Sequence, residues 1–154
     1  MPDRQAGTIL AFDFGLRRIG VAVGDAAIGV AHPLLTIDGP ANDKRFSAIA
    51  ALIGEWRPAL LLVGLPRSLD GEAGEMTEHC RRFARRLAGR FAVAVRLVDE
   101  RLSSVAAESA LRAAGIATRR HKSRIDAAAA QVILQSYFDG GNAVVVVDDE
   151  PAAA

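Results

Sequence analysis

Residues 10–25 read LAFDFGLRRIGVAVGD, and the pattern of this stretch decides the fold. Thr8 to Phe14 and Arg18 to Val23 are both extended and apolar, with only Gly15-Leu16-Arg17 between them. Two such runs joined by a short connection that opens on glycine predict an antiparallel hairpin. One residue breaks the apolar run: Asp13, between Phe12 and Phe14. A carboxylate there loses much of its hydration and stays ionised only if a cation, a metal or several donors compensate.

Working outward, Ile28 to Ile37 is a third extended segment, and Pro33 inside it suits an edge strand or a bulge. Asn42 or Asp43 is placed to cap a helix reaching Trp56, with Ile49, Leu52, Ile53 and Trp56 on one apolar face and Pro58 as the stop. ALLLVGLP, Ala59 to Pro66, is continuously apolar, as in a parallel strand buried on both faces. After the loop RSLDGEAG, a helix from about Glu75 to Ala88 carries the stripe Met76, Cys80, Phe83 and Leu87. Its Arg81, Arg82, Arg85 and Arg86 read as a solvated face. Ala92 to Val98 is the next strand and runs straight into Asp99-Glu100-Arg101. Two helices follow, near Ser104 to Ala114 and Ser123 to Phe138, with a basic loop between them. AVVVVDDE suits a short added strand, and PAAA a frayed tail.

A meander followed by β–α alternation predicts an α/β protein, a mixed sheet covered by helices. A chain of 154 residues suits one domain, with its core at about 8–138 and a tail at about 148–154. Hydrophobic residues make up 51% and charged residues 24%, which excludes a disordered chain. No apolar run reaches the roughly 18 to 20 residues that cross a bilayer, and MPDRQAGT has no apolar signal core. The lone Cys80 makes neither an internal disulfide nor a thiolate metal cluster. A cytoplasmic protein without a membrane partner is expected.

Net charge is only +1, which argues against tight nonspecific binding to nucleic acid. Yet of 19 basic residues only Lys44 and Lys122 are lysine. Arginine suits bidentate phosphate contacts, so any phosphate-binding surface must be local.

Two further acids stand at element ends. Glu100 lies just past a strand, where ligand sites of open α/β sheets collect. Asp126 closes Ser123-Arg124-Ile125-Asp126, a capping-box pattern ahead of AAAAQVIL, and taken alone it reads as a helix cap. One acid in a strand, one at a strand end and one at a helix start are placed so that folding could converge them. Clustered carboxylates raise one another's pKa values unless a divalent cation joins them. Oxygen-only ligands suit Mg²⁺ or Mn²⁺, and two such ions about 4 Å apart promote phosphodiester cleavage. His32, His79 and His121 show no zinc-ligand spacing.

LAFDFGLRRIGVAVGD, LVGLPRSLDG, VDERLSS and KSRIDAAAAQVILQSYF occur in this order over roughly Thr8 to Phe138. Together they resemble the pre-16S rRNA nuclease family of the YqgF type, related to bacterial Holliday-junction resolvases. The resemblance implies an RNase H-like α/β fold: a mixed five-stranded sheet, three antiparallel strands continued by two parallel ones, flanked by helices. It implies a metal-dependent endonuclease that trims the 5′ end of the 16S ribosomal RNA precursor, and a link to transcription. The family's strand acid maps onto Asp13, its D-E-R glutamate onto Glu100 and its K-x-D aspartate onto Asp126. Related sequences often have L-N-M-D-G after G-L-P, where this chain has Arg67-Ser68-Leu69-Asp70-Gly71. K-x-D is here Arg124-Ile125-Asp126, with Lys122 earlier.

Arg17 and Arg18 follow the first strand's acid, Arg101 follows Glu100, and Arg119, Arg120, Lys122 and Arg124 precede Asp126. If the acids converge, these groups surround them and are placed to hold phosphates of structured RNA (the pre-16S precursor) or branched DNA. Aromatics are few, so shape and backbone contacts are expected rather than base stacking. Three other readings remain open. A resolvase would cut four-way DNA and need a symmetric dimer, and monomer and homodimer are not separable from sequence. A catalytically silent nucleic-acid-binding or transcription factor would keep the fold. An actin-like ATPase would need two such domains.

Overall fold

The computed structural model describes residues 7–65, 75–99, 122–140 and 144–147. The first hairpin forms as its sequence pattern requires. β1 (Thr8–Phe14) pairs antiparallel with β2 (Arg18–Asp25), and β2 pairs antiparallel with β3 (Val30–Asp38). Pro33 sits in β3, an edge strand, where a missing N–H is tolerated. The β2–β3 register also slips between Val21 and Ala22, opposite this proline.

Helix α1 (Asn42–Trp56) then leads to β4 (Leu60–Leu65), which is buried along its whole length and lies parallel to β1. Helix α2 (Glu75–Arg90) leads to β5 (Ala94–Asp99), parallel to β4. Helix α3 (Lys122–Phe138) precedes a short β6 (Val144–Val147), antiparallel to β5. The sheet order is β3-β2-β1-β4-β5-β6. These are the expected three antiparallel and two parallel strands of an RNase H-like fold, with β6 added at one edge. The helix expected near 104–114, the loop at 67–71 and the tail lie outside the described residues.

Neither Asn42 nor Asp43 caps α1. Asn42 is already helical, Ala41 is the N-cap with no side-chain bond, and Asp43 Oδ1 accepts from the adjacent Lys44 N–H. Among the described residues no helix is long and apolar enough to cross a membrane.

The two faces of the sheet differ in residue size, and this difference builds the site. One face is bulky: Leu10, Phe12, Ile19, Val21 and Val23 pack against Phe46, Ile49 and Leu52 of α1 and Cys80, Phe83 and Leu87 of α2. The other face is small: Ala11, Ala22 and Ala31 meet Ala130, Ile133 and Leu134 of α3. β2 carries Gly20, Ala22 and Gly24 in alternation on this second face, because successive side chains point to opposite sides. A Cβ at Gly20 would collide with the Asp126 backbone carbonyl, and one at Gly24 would lie 2.8 Å from the Phe138 ring. Alpha-helix α3 therefore beds its backbone directly on β2.

Two glutamines fix where α3 sits along that bed. Gln131 Nε2 donates to the Ala31 carbonyl at 3.0 Å. Gln135 accepts from the Ala31 N–H and donates to the Gly29 carbonyl, each at 3.0 Å. The helix thus satisfies backbone groups of the edge strand β3 that would otherwise be open to pairing.

Candidate active site

Alternation along β1 places Ile9, Ala11 and Asp13 on the α3 face. Asp13 is partly buried, and its partner across the β1–β2 ladder is Gly20. Asp126 lies in the first turns of α3, and its backbone rests on that same Gly20. The missing side chain at position 20 is what lets the helix start come down beside the strand acid. The carboxyl of Asp13 is pushed up to about 7, first by burial and then by the negative charge of Asp126. Two acids more than a hundred residues apart in sequence are thus electrostatic neighbours.

Arg18 supplies the described countercharge. Two residues before Gly20, it shares the α3 face, and its Nε donates to Asp126 Oδ2 at 2.9 Å. The expected capping box does not describe Asp126 here. α3 begins at Lys122, which places Ser123 inside the helix, and the carboxylate reaches across to β2. Arg17 stands exposed at the hairpin tip, and its carbonyl accepts from Gly39 N–H at 2.8 Å.

Arg45, which the sequence reading passed over, holds that tip from below. It is 3% exposed; its Nε donates to Gly39 O at 2.8 Å and its Nη2 to Gly15 O at 2.7 Å. Its guanidinium also lies 5.3 Å from the centre of the Phe14 ring. Burial lowers its pKa, yet an arginine keeps its proton at neutral pH. No sequence period marks Arg45, because its partners are backbone carbonyls distant in the chain. Gly20 was passed over as well; its one local signal is a glycine inside an apolar strand, which marks a close backbone approach.

The strand ends converge as well. Phe12 is level with Val63, and Val63 with Leu97, so the carboxyl ends of β1, β4 and β5 share one end of the sheet. The chain leaves β5 at Asp99 on this end. Glu100, Arg101, Arg119 and Arg120 lie outside the described residues, as do the side chains of Lys122 and Arg124 in the first turn of α3. Among the described residues no group of three His, Cys, Asp or Glu gathers to hold a metal. The Asp13–Asp126 pair does fit a hard divalent cation: both donors are carboxylates, and bringing them together raises the pKa of Asp13, which a cation would reverse.

The arginine row of α2 departs from a uniformly solvated face. Arg81 and Arg85 are half-buried, while Arg82 and Arg86 are exposed and line a cleft with His79.

Residues 7–140 match the family described as RuvX, Holliday junction resolvase. The chain is 58% identical over 143 residues to a protein of Methylobacillus flagellatus named "Putative pre-16S rRNA nuclease", covering 91% of this chain and 98% of that one. It is 55% identical over 143 residues to a Neisseria meningitidis serogroup C protein of the same name, covering 93% and 95%. Its fold is similar to T. thermophilus RuvC in complex with Holliday junction substrate, with a TM-score of 0.54, 18% identity, and 87% and 94% of the two chains covered.

Proposed function

Because this chain belongs to the RuvX family, whose relatives are named as nucleases, we propose that it is a metal-dependent endonuclease that processes the 5′ end of pre-16S ribosomal RNA. The observation that carries this reading is the Asp13–Asp126 pair, held together by the bare backbone of Gly20. Asp13, Glu100 and Asp126 are the catalytic acids and would hold Mg²⁺ or Mn²⁺. When bound, the metal supplies an activated water and charge stabilisation for the leaving oxygen.

The chain's own residues set the rest. Burial, and then the charge of Asp126, raise Asp13 to about 7, so near neutral pH a large share of the metal-free protein carries a proton there that cation binding would release. Arg18 fixes the Asp126 carboxylate through its Nε–H. Arg17 at the exposed hairpin tip, with Arg101, Arg119, Arg120, Lys122 and Arg124, would hold the phosphates that flank the scissile bond.

The test runs a precursor 16S 5′-leader RNA and a four-way DNA junction in parallel, with Mn²⁺, Mg²⁺ or EDTA. Metal-dependent RNA cutting that Asp13→Asn abolishes is the expected result. Preferential cutting of the junction would assign the resolvase activity that the family description names. No cutting of either substrate by a folded protein would overturn the nuclease reading and leave a binding or transcription role.

A further inference from the structure

The bulky face of the sheet carries a second polar concavity that the carboxylate site does not use. A cleft of about 360 Å³ opens between the β1–β2 turn, the start of α1 and α2. Its floor is apolar, built from Phe14, Phe46 and Phe83, and Leu16 at the turn is 53% exposed at its lip. Its polar lining holds three arginines, Arg45, Arg82 and Arg86, beside His79 and Asn42, without a carboxylate among the lining residues.

His79, Arg82 and Arg86 fall at helical spacings of three and four, so they stand in one row along α2. Among the described residues no acid pairs with Arg82 or Arg86. Arg45 is almost fully buried, and its partners there are two neutral carbonyls. A chain with net charge +1 thus gathers three arginines into one concavity. Like charges so placed repel unless an anion joins them, and guanidinium pairs on an apolar floor suit a phosphate carrying an organic group.

The position indicates which phosphate. Phe14 lines the cleft and is the residue after Asp13, with the two side chains on opposite faces of β1. The cleft and the carboxylates therefore flank the same strand end, separated by the hairpin tip.

We propose that this cleft is a second nucleic-acid subsite, which holds a nucleotide of the substrate strand remote from the scissile bond. Its phosphate lies on Arg82 and Arg86, and its sugar and base edge lie against Phe14 and Leu16. The strand crosses from the carboxylate face over the exposed turn that Arg45 holds in place. This assignment rests on the nuclease reading for the identity of the strand.

The test is fluorescence anisotropy of a labelled short single-stranded RNA in EDTA, with salt varied between about 50 and 200 mM. The Arg82→Gln/Arg86→Gln double variant should bind about tenfold more weakly near 150 mM salt, with a salt slope lower by about 1.4. Arg57→Gln, which removes a charge at the far end of α1, should match the wild type. Both cleft arginines are exposed, so the double variant should melt like the wild type. Wild-type affinity and slope in the double variant would overturn the subsite, as would failure of the wild type to bind the oligonucleotide. Because binding is read without metal, the two readings fail separately. Cutting that persists with no role for Arg82 and Arg86 removes the subsite alone. Strand binding that needs these arginines, in a protein that cuts nothing, removes the nuclease reading and leaves the cleft assigned.

Discussion

Arg18 Nε lies 2.9 Å from Asp126 Oδ2, joining the second strand to the start of the last described helix. The pair is partly exposed, 30% and 25%, so its contribution to stability is small, about 1 kcal/mol or less. Its consequence is electrostatic. Arg18 pairs with one member of a carboxylate pair whose other member, Asp13, has its pKa raised first by burial and then by that neighbouring charge. Arg18→Ala should therefore tighten Mn²⁺ binding severalfold while slowing RNA cleavage, since the cation loses a competitor and the phosphate loses a donor. Calorimetric Mn²⁺ titration checks this, and unchanged affinity would show that Arg18 does not compete for the site.

Asp13 makes stability depend on pH with a definite sign. Its folded pKa of about 7 stands above the ordinary 3.8, so the fold favours the neutral acid. Below about pH 4 both folded and unfolded chains carry the proton, and the residue contributes no penalty. Between about 4 and 7 only the folded chain keeps it, so stability falls as pH rises; above 7 the penalty is complete. Asp13→Asn should thus stabilise the metal-free protein by roughly 2 to 4 kcal/mol at pH 8 and by almost nothing at pH 4. Urea unfolding at the two pH values measures the difference. A divalent cation reverses the preference, so its affinity for the wild type should weaken as pH drops below 7.

The glycines separate a site requirement from a general one. Gly20→Ala drives a methyl group into the Asp126 backbone, so α3 must lift from the sheet. The expected cost is about 1 to 3 kcal/mol, with loss of cleavage because the two acids move apart. Gly54, in α1, has open space where a Cβ would stand, and Gly54→Ala should stabilise by about 0.5 to 1 kcal/mol with cleavage unchanged. Equal effects at the two positions would refute the role given to Gly20.

The sheet was legible because its strands carry the signal locally: the hairpin around Gly15, the proline in β3 and the unbroken apolar run of β4 each announce themselves within a few residues. Asp13 was legible for the same reason, as one charge in an apolar strand. The partners of Asp126 were not, since S-x-x-D is a local pattern and the contact that fixes this carboxylate comes from Arg18 on another element. Arg45 escaped because it bonds backbone carbonyls, which carry no sequence signature. The α2 arginines show the same limit: helical spacing sorted them from the apolar stripe, but only the fold reveals that Arg82 and Arg86 face the β1–β2 turn.

Gln135 tests whether the site depends on the axial position of α3. Its amide accepts from Ala31 N–H and donates to Gly29 O, and Gln131 reinforces the same contact one turn earlier. Gln135→Leu keeps the apolar bulk but leaves the Ala31 N–H and the Gly29 carbonyl without these partners, at a cost of about 1 to 3 kcal/mol. If the glutamines only protect the edge strand, cleavage per folded molecule should match the wild type. If they also set the helix register, Asp126 shifts relative to Asp13, and cleavage falls at temperatures where the variant is still fully folded. The direct geometry of Gln131 and Gln135 on the β3 edge, with Gly20 as the opposing stop, favours the second outcome: a helix pinned at both ends of its bed has one position in which Asp126 meets the strand acid. Circular dichroism melting paired with cleavage well below the transition distinguishes the two, and full activity in a destabilised Gln135→Leu would restrict the glutamines to edge protection.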